Sequence, residues 1–322
     1  MASSKRIGLA VVIALAALAV RANAQSASRG FAFERLSPSA AGAGWFVMDD
    51  LDIEDALGGA LGLTLGYERN PVHAGALDIV SDAAGANVGG AVTYARWRFS
   101  LDFDTVFLAT GQSGTVDGET FTAPSVNPSS HPDTIADPRA GIDVLVLGRP
   151  GDPLRIGAGA QLSAPNDSRA SYTTDGTFRG AVRALIAGDV GRFTYAGHFG
   201  AQIRPLDGAV TPATPRGNEL LFGLAGGARV PLAWRHWTAV VGAEIYGATA
   251  FRSTFESDAT ALEGLLSARL EEPAGRGRRI RLKLGAGGGI AHEFGAAEWR
   301  IVAGVEIFSR SSDASTARAF VK

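Results

Sequence analysis

The 322-residue sequence has no cysteine and only 2 methionines. The missing cysteines exclude a disulfide framework, a metal–thiolate site and a lipoprotein anchor. The formal net charge of -2 shows neither the basic field of a nucleic-acid-binding protein nor an acidic tail, so nucleic acid is not expected as a partner. No apolar run of transmembrane-helix length follows the first 24 residues, and no transmembrane helix is predicted.

The N-terminus has the pattern of a secretory signal peptide. Lys5 and Arg6 precede the apolar run "IGLAVVIALAALAV", and "ANA" ends at Ala24. The run is shorter than the roughly 20 residues that a helix needs to cross hydrocarbon, which disfavours a membrane anchor. We therefore predict a signal peptide over residues 1–24 that is cleaved before Gln25, and an exported mature chain.

Hydrophobicity alternates with a period of two from residue 56 onward, as in β-strands. Segments bounded by Gly, Pro, Asp and Asn occur at 56–68, 76–95, 97–109, 138–148, 154–164, 177–188, 193–204, 218–231, 237–248, 259–270, 279–290 and 298–308. The second segment contains "DAAGANVGG", which predicts a bulge. An even strand number is typical of outer-membrane barrels. The expected fold is therefore all-β, a transmembrane antiparallel up-and-down barrel of about twelve strands.

The expected organisation follows from these segments. Residues 1–24 form the signal peptide, residues 25–55 an irregular periplasmic segment, residues 56–308 the outer-membrane barrel and residues 309–322 a C-terminal tail. Connections after odd-numbered segments are longer, from "RNPVHAG" to "AHEFGAAE", which predicts short periplasmic turns and long extracellular loops. The longest connection, residues 110–137, either enters the lumen as a constriction or forms an external recognition surface.

The stretch "RRIRLKLGAGGGI", residues 278–290, shows the two faces of a strand. Arg279, Arg281 and Lys283 are expected to point inward, while the aliphatic residues between them face acyl chains and the glycines relieve crowding where strands curve. Aromatic residues near strand ends suit interfacial girdles, and the candidates are Trp45, Trp97, Trp234, Trp237, Trp299 and Phe308.

The same parity gathers charged side chains in the lumen. Charges that do not face lipid are either solvated or paired. If they are solvated, this set is a weakly anion-preferring pore lining; if they are paired, it is a ladder of salt bridges that closes the lumen. The expected lumen-lining residues are Glu68, Arg98, Asp102, Asp104, Asp143, Arg155, Arg179, Arg183, His198, Arg204, Glu219, Arg229, Glu244, Glu263, Arg269, Arg279, Arg281, Lys283, Arg300 and Glu306.

Catalytic and ligand motifs are weak. A barrel hydrolase needs a nucleophile, a base and an orienting partner, and His198 has no serine in a nucleophile elbow beside it. The acidic stretch "MDDLDIEDA" lacks EF-hand spacing, so a solvated segment is favoured over a calcium site. "GAGGGI" lies inside a strand pattern and meets no phosphate-binding spacing. We predict no catalytic site, no cofactor and no metal.

Several stretches resemble the N-terminal barrel region of myxobacterial OmpA-family outer-membrane proteins. They include "FAFERLSPSAAGAGWFVMDDLDI", "ALGLTLGYERNPV", "GNELLFGLAGGARV" and "TALEGLLSA", and the resemblance runs from about Phe31 to Phe308. It implies the barrel and its compartment. Members of that family typically continue into a C-terminal peptidoglycan-binding domain, whereas this sequence ends with "SRSSDASTARAFVK", so cell-wall tethering is not carried over.

The expected function is a passive porin-like channel for small polar solutes or a structural envelope protein, without enzymatic activity. A phospholipase-like barrel hydrolase is the alternative. The expected partners are outer-membrane lipid and, during biogenesis, the barrel-assembly machinery. The sequence specifies neither the solute nor the oligomeric state.

Overall fold

The fold is described from a computed structural model. The structure describes residues 31–310 except 56, 117–118, 127–134, 167–168, 170–171, 207–208, 212–213, 216, 233–236, 258, 273–276 and 293–294. The expected signal peptide and most of the expected tail lie outside the described residues.

Twelve antiparallel strands close into one barrel, numbered β1 to β12 in chain order. The strands are β1 Gly58–Ala74, β2 Leu77–Tyr94, β3 Trp97–Thr110, β4 Arg139–Leu147, β5 Arg155–Ser163, β6 Arg179–Val190, β7 Phe193–Ile203, β8 Glu219–Pro231, β9 Thr238–Ala250, β10 Thr260–Glu271, β11 Gly277–His292 and β12 Trp299–Arg310. Each strand pairs with its neighbours in sequence, and β1 pairs with β12 to close the barrel. The predicted up-and-down barrel is confirmed.

The first connection differs from the prediction. "RNPVHAG" was expected to be a long loop, but β1 continues through it and only Gly75 and Ala76 separate β1 from β2. The ladder shifts register between Arg69 and His73, because Pro71 has no backbone N–H to donate to it. The bulge predicted in the second segment lies instead on its partner strand, because Ala84 pairs with Leu108 and Gly85 with Val106, which leaves Phe107 of β3 as the extra residue.

The outer surface of the barrel is apolar. Leu61, Phe99, Phe199 and Leu284 are among many large hydrophobic side chains that are exposed along the strands. Monomeric proteins in water rarely expose so continuous an apolar surface. Among the described residues, no helix has the length and apolar character needed to cross a membrane.

The N-terminal segment lies inside the barrel. Residues 31–55, here called the plug, enter at the end that carries the long loops, pass through the lumen and leave beside the short turns, where the Ala95 N–H donates to the Asp55 carbonyl. Trp45, Phe46 and Met48 are buried in one cluster with wall residues such as Leu265. Residues 25–55 were expected to form an irregular periplasmic segment, but the described part lies in the lumen, where its apolar side chains are removed from water.

A second apolar cluster covers the long-loop end. Phe31 and Phe33 of the plug pack there with Tyr172 and with Phe121 of the residue 110–137 loop. Within that loop, Gly114–Val116 and Glu119–Phe121 form a short hairpin. The described part of the loop therefore helps to close one end of the barrel.

The aromatic residues do not all lie where the girdle hypothesis placed them. Trp97 and Trp299 are exposed on the outer surface, Trp237 is half-buried, and Trp234 lies outside the described residues. Trp45 and Phe308 were wrongly assigned, since both are buried inside the barrel. Phe308 shares the inward parity of Glu306, and Trp45 belongs to the plug.

Arginine substitutions at two heights on the outer surface distinguish an exterior that faces lipid from one that faces water. Leu266, at the middle of β10, is 72% exposed, and Leu57, before β1, is 71% exposed. In lipid vesicles, Leu266→Arg is expected to lower the free energy of unfolding by about 2–4 kcal/mol, and Leu57→Arg by about 0–1 kcal/mol, because a charge costs most at the bilayer midplane. Denaturant unfolding measures both. Equal effects of the two substitutions would contradict a membrane-spanning exterior.

Candidate functional site

The predicted lumen residues lie on the inner side of the wall. Arg98, Asp102, Asp143, Arg155, Arg204, Glu219, Glu244, Glu263, Arg269, Arg281, Lys283, Arg300 and Glu306 are buried, as is Glu68. Asp104, Arg179, Arg183, His198 and Arg279 are half-buried. Arg229, at the short-turn end of β8, is more accessible and pairs with Asp189 at 2.7 Å. Most of these side chains contact one another or the plug.

The plug turns back on itself at residues 44–49, here called the plug tip. Gly44 and Asp49 form an antiparallel bridge, and Gly44 has φ +96, a conformation that favours glycine. This turn directs three successive backbone N–H groups toward the wall. Those of Phe46, Val47 and Met48 donate to the Glu244 carboxylate at 2.9, 2.8 and 3.2 Å. Successive N–H groups of this kind form an anion-binding nest.

Cations of β10 and β11 hold the other side of the plug tip. The Lys283 ammonium donates to the Trp45 carbonyl at 3.2 Å and to Glu306 at 2.7 Å. It also lies 5.0 Å from the centre of the Phe46 ring, and the Arg269 guanidinium lies 4.7 Å from the Trp45 ring. These cation–π contacts are strengthened by exclusion of water.

Asp49 anchors the end of the plug tip to β3. Its carboxylate pairs with Arg98, which also pairs with Asp143 of β4 at 2.9 Å. The interpretation of "MDDLDIEDA" as solvated is therefore wrong for Asp49 and Asp50, which are both buried. Within the described residues, no group of three or more His, Cys, Asp or Glu side chains is arranged to hold a metal ion.

An ion-pair network ties the start of the plug to the long-loop end. Arg204 donates to Asp175 at 2.7 and 2.8 Å and to the Ala32 carbonyl at 3.2 Å, while the Ala32 N–H donates to Asp175 at 2.8 Å. Arg35 forms a bidentate pair with Glu219. Burial would raise the pKa of Asp175, but Arg204 and Arg179 hold that pKa below its usual value. The network therefore keeps Asp175 charged.

A second network surrounds Arg300 of β12. Its guanidinium contacts Glu34 of the plug at 2.9 Å, Glu68 of β1 at 2.8 Å and Glu263 of β10 at 2.8 Å. The Tyr246 hydroxyl donates to Glu263 at 2.7 Å. One cation thus links the plug to two strands that are not neighbours in the sheet.

Wall glycines make room for the large side chains of the plug. A Cβ at Gly227 or at Gly242 would lie 2.9 Å from the Trp45 ring, and a Cβ at Gly285 would lie 3.1 Å from the Phe46 ring. The glycines of "GAGGGI", Gly285 among them, were expected to relieve crowding where strands curve. In the structure Gly285 allows close approach of the plug, as do Gly227 and Gly242.

A cavity of about 220 Å³ remains beside the plug, toward the long-loop end. Its walls include Gln161, Arg183, His198 and Gln202, together with Arg139. Arg139 donates to the Ser37 hydroxyl and to the Pro38 carbonyl at 2.8 Å, which fixes the plug at the cavity edge.

The sequence reading missed the plug residues of this site. Glu34, Arg35 and Asp49 were not assigned to the lumen, nor were Asp175 and Arg139. A signal was available, because "FAFERL" and "WFVM" carry more large apolar side chains than a solvated segment requires. Period-two alternation finds strands only, so it could not place an irregular segment inside the barrel.

No family model matches the chain, and no curated protein matches it. Solved structures with similar folds include an outer membrane channel from Pseudomonas putida F1, with 11% identity and a TM-score of 0.48, covering 80% of this chain and 98% of that one. The NanC porin has 8% identity and a TM-score of 0.46, covering 78% and 99%. The beta domain of the Bordetella autotransporter BrkA has 15% identity and a TM-score of 0.38, covering 77% and 98%. Likenesses this weak carry no argument about function.

Replacing Glu244 tests how the plug is held. Glu244→Leu is expected to lower the free energy of unfolding by about 3–5 kcal/mol, because it removes the acceptor of three buried N–H groups and leaves nearby buried charge less compensated. Amide hydrogen exchange at residues 46–48 should accelerate more than exchange in β3.

Ser267→Ala is the matched control, since the Ser267 hydroxyl lies 3.5 Å from the same carboxylate. It should leave exchange at residues 46–48 within a factor of about two, because a 3.5 Å contact is a marginal hydrogen bond. Unchanged exchange in Glu244→Leu would show that Glu244 does not hold the plug tip.

Proposed function

We propose that this protein is a bacterial outer-membrane barrel whose lumen is closed by its own plug, and that it acts as a structural envelope protein in this closed form. Solutes would pass only after the plug leaves its place. The observation that carries the proposal is the capture of the plug tip by Glu244, midway along the lumen, through three backbone N–H groups.

The apolar exterior supports the membrane location. Exposed leucines and phenylalanines on alternate positions would be costly in water and are favourable against acyl chains. A closed sheet also leaves no unpaired edge, which the hydrocarbon region of a bilayer demands. Outer-membrane lipid is therefore the proposed partner, and the barrel-assembly machinery the proposed partner in biogenesis. Membership of the myxobacterial OmpA-type barrels is likewise a proposal, supported by the stretches quoted above.

The charge pattern of the lumen favours closure over ion conduction. Cations that would line an anion-preferring pore are paired: Arg98 with Asp49, Arg281 with Glu306, and Arg300 with Glu34. Two of these three partners come from the plug. A paired cation presents little net charge to a passing anion, so the salt-bridge interpretation accounts for this lining better than the pore interpretation does.

The position of His198 supports a non-enzymatic function. His198 lies on the inner face of β7 and lines the cavity, whereas phospholipid esters lie outside the wall. Among the described residues its electrostatic neighbour is Arg183, a cation, and not a carboxylate that could orient it as a base.

Planar-bilayer recording with a releasable plug tests the proposal. The wild-type protein is expected to show no steady conductance, whereas Arg98→Ala combined with Glu244→Ala should show intermittent openings, since two anchors of the plug tip are lost. Heat-modifiable mobility on a gel verifies that the variant barrel is folded. Steady conductance of the wild-type protein would overturn the proposal.

An engineered disulfide between the plug and β1 tests whether the openings require plug movement. A Cβ at Gly62 of β1 would lie 3.4 Å from the Ala41 Cβ of the plug, close to the roughly 3.5–4.5 Å of a disulfide. The chain has no other cysteine to interfere. Adding Ala41→Cys and Gly62→Cys to the double variant should abolish openings when oxidised and restore them when reduced. Openings that persist in the oxidised form would show that current passes without plug movement.

A further inference from the structure

The cavity beside the plug contains a recess built by three neighbouring strands. Across β5, β6 and β7, Gln161, Ala181 and Gln202 are in register, so two long amide side chains stand on either side of one methyl group. In the next inward row, Arg183 lies between Gly159 and Gly200. Small residues beside long polar ones leave an indentation whose rim can donate and accept hydrogen bonds.

The polar groups of this recess are largely unused by the protein. Arg183 has five N–H donors, and among the described residues its guanidinium makes one hydrogen bond, a long contact of 3.4 Å from Nη2 to Asp143. Its Nε is buried without a partner. Buried polar atoms are almost always paired, so the unpaired buried Nε of Arg183 beside a cavity points to a site for an acceptor.

Most carboxylates near the recess pair with other cations, while Asp104 of the lining accepts from Asn87 at 2.8 Å. Asp143 is closer to Arg98, at 2.9 Å, than to Arg183. Glu219, beside Gln202, pairs with Arg35 and Arg204. Asp137 pairs with Arg179 at 3.0 Å. Arg139 lies 3.8 Å from its nearest carboxylate but also donates to Ser37 and Pro38, whereas the one hydrogen bond of Arg183 within the described residues is the long contact to Asp143.

We propose that this recess binds a small hydroxylated carboxylate, of the size of a sugar acid. The Arg183 guanidinium would take the carboxylate, because its planar fork matches two carboxylate oxygens. The Gln161 and Gln202 amides would bind hydroxyl groups, since each amide both donates and accepts. The cavity of about 220 Å³ exceeds the roughly 150 Å³ that holds a six-carbon ring in an engineered protein core.

Side chains of this recess keep accessible surface in the closed form of the barrel. Gln161, Ser163, His198 and Gln202 are half-buried, and the Arg183 side chain is 11% exposed. The cavity lies toward the long-loop end, so ligand would enter there and the plug would stay in place. The inference thus goes beyond the closed-barrel proposal and does not require the plug to move.

Isothermal titration calorimetry of the refolded full-length protein in detergent micelles tests the inference. The probe is D-glucuronate, and D-glucuronamide is the matched neutral compound of the same shape. Glucuronate is expected to bind at least about tenfold more tightly than glucuronamide, because a charge-assisted pair is lost in the amide. Inorganic phosphate is the third probe and should bind more weakly than glucuronate, since it lacks the hydroxyl-bearing ring that the amides would bind.

Three variants assign the binding to the recess. Arg183→Gln should weaken glucuronate binding at least about tenfold. Ala181→Leu should abolish binding by filling the space between the two amides without changing charge. Arg229→Gln removes a lumen-side cation that does not line this cavity, and it should leave the affinity unchanged. Heat-modifiable mobility checks the fold of each variant.

Four results would overturn the inference: no heat of binding for glucuronate, equal affinity for glucuronamide, unchanged affinity in both Arg183→Gln and Ala181→Leu, or tighter binding of phosphate. These results leave the closed-barrel proposal untouched, because bilayer conductance reports the plug and not the recess. Conversely, a conducting wild-type protein that binds glucuronate through Arg183 would refute the closed form and retain the recess.

Discussion

A closed sheet of twelve strands encloses more space than the side chains of its own wall can fill. About eight strands give an interior that side chains fill by themselves, and a wider barrel must hold water, a ligand or a separate piece of chain. Here the plug occupies much of that space. The wall is adapted to it, since Gly227 and Gly242 approach the Trp45 ring where any larger residue would collide.

A chain segment inside a barrel brings its backbone polar groups with it, and these need partners. An irregular segment pairs only some of them within itself, as the Ser39 N–H does with the Phe46 carbonyl, so the wall must supply the other acceptors and donors. Glu244 accepts from the plug tip, Lys283 donates to the Trp45 carbonyl, and Arg139 donates to the Pro38 carbonyl. The charged inner face is thus explained by the demands of the plug. Removing one member of such a buried pair costs more than the pair contributes, because the other member stays buried and unpaired.

The lumen is filled unevenly, because the plug leaves a cavity with polar walls toward the long-loop end. The plug tip packs against β8 to β12, where Val240, Leu265 and Val302 continue its apolar cluster. Beside β5 to β7, toward the long-loop end, the wall carries amides, His198 and Arg183 around the cavity. The apolar cap formed by Phe31, Phe33, Phe121 and Tyr172 covers another part of that end. One barrel therefore combines a lumen occupied by the plug with a cavity that has polar walls.

The sequence by itself determined the barrel. Alternation with a period of two is imposed by strand geometry, so it revealed twelve strands and the inward parity of Arg281 and Lys283. It failed at "RNPVHAG", where Pro71 interrupts the pattern while β1 continues. Only the tertiary structure decided what the lumen contains. The meeting of Glu244 with Phe46, or of Arg300 with Glu34, joins residues far apart in the chain, and an irregular segment has no period from which its partners can be read. Pairing across the lumen depends on barrel closure and on the register between strands, which no local pattern records.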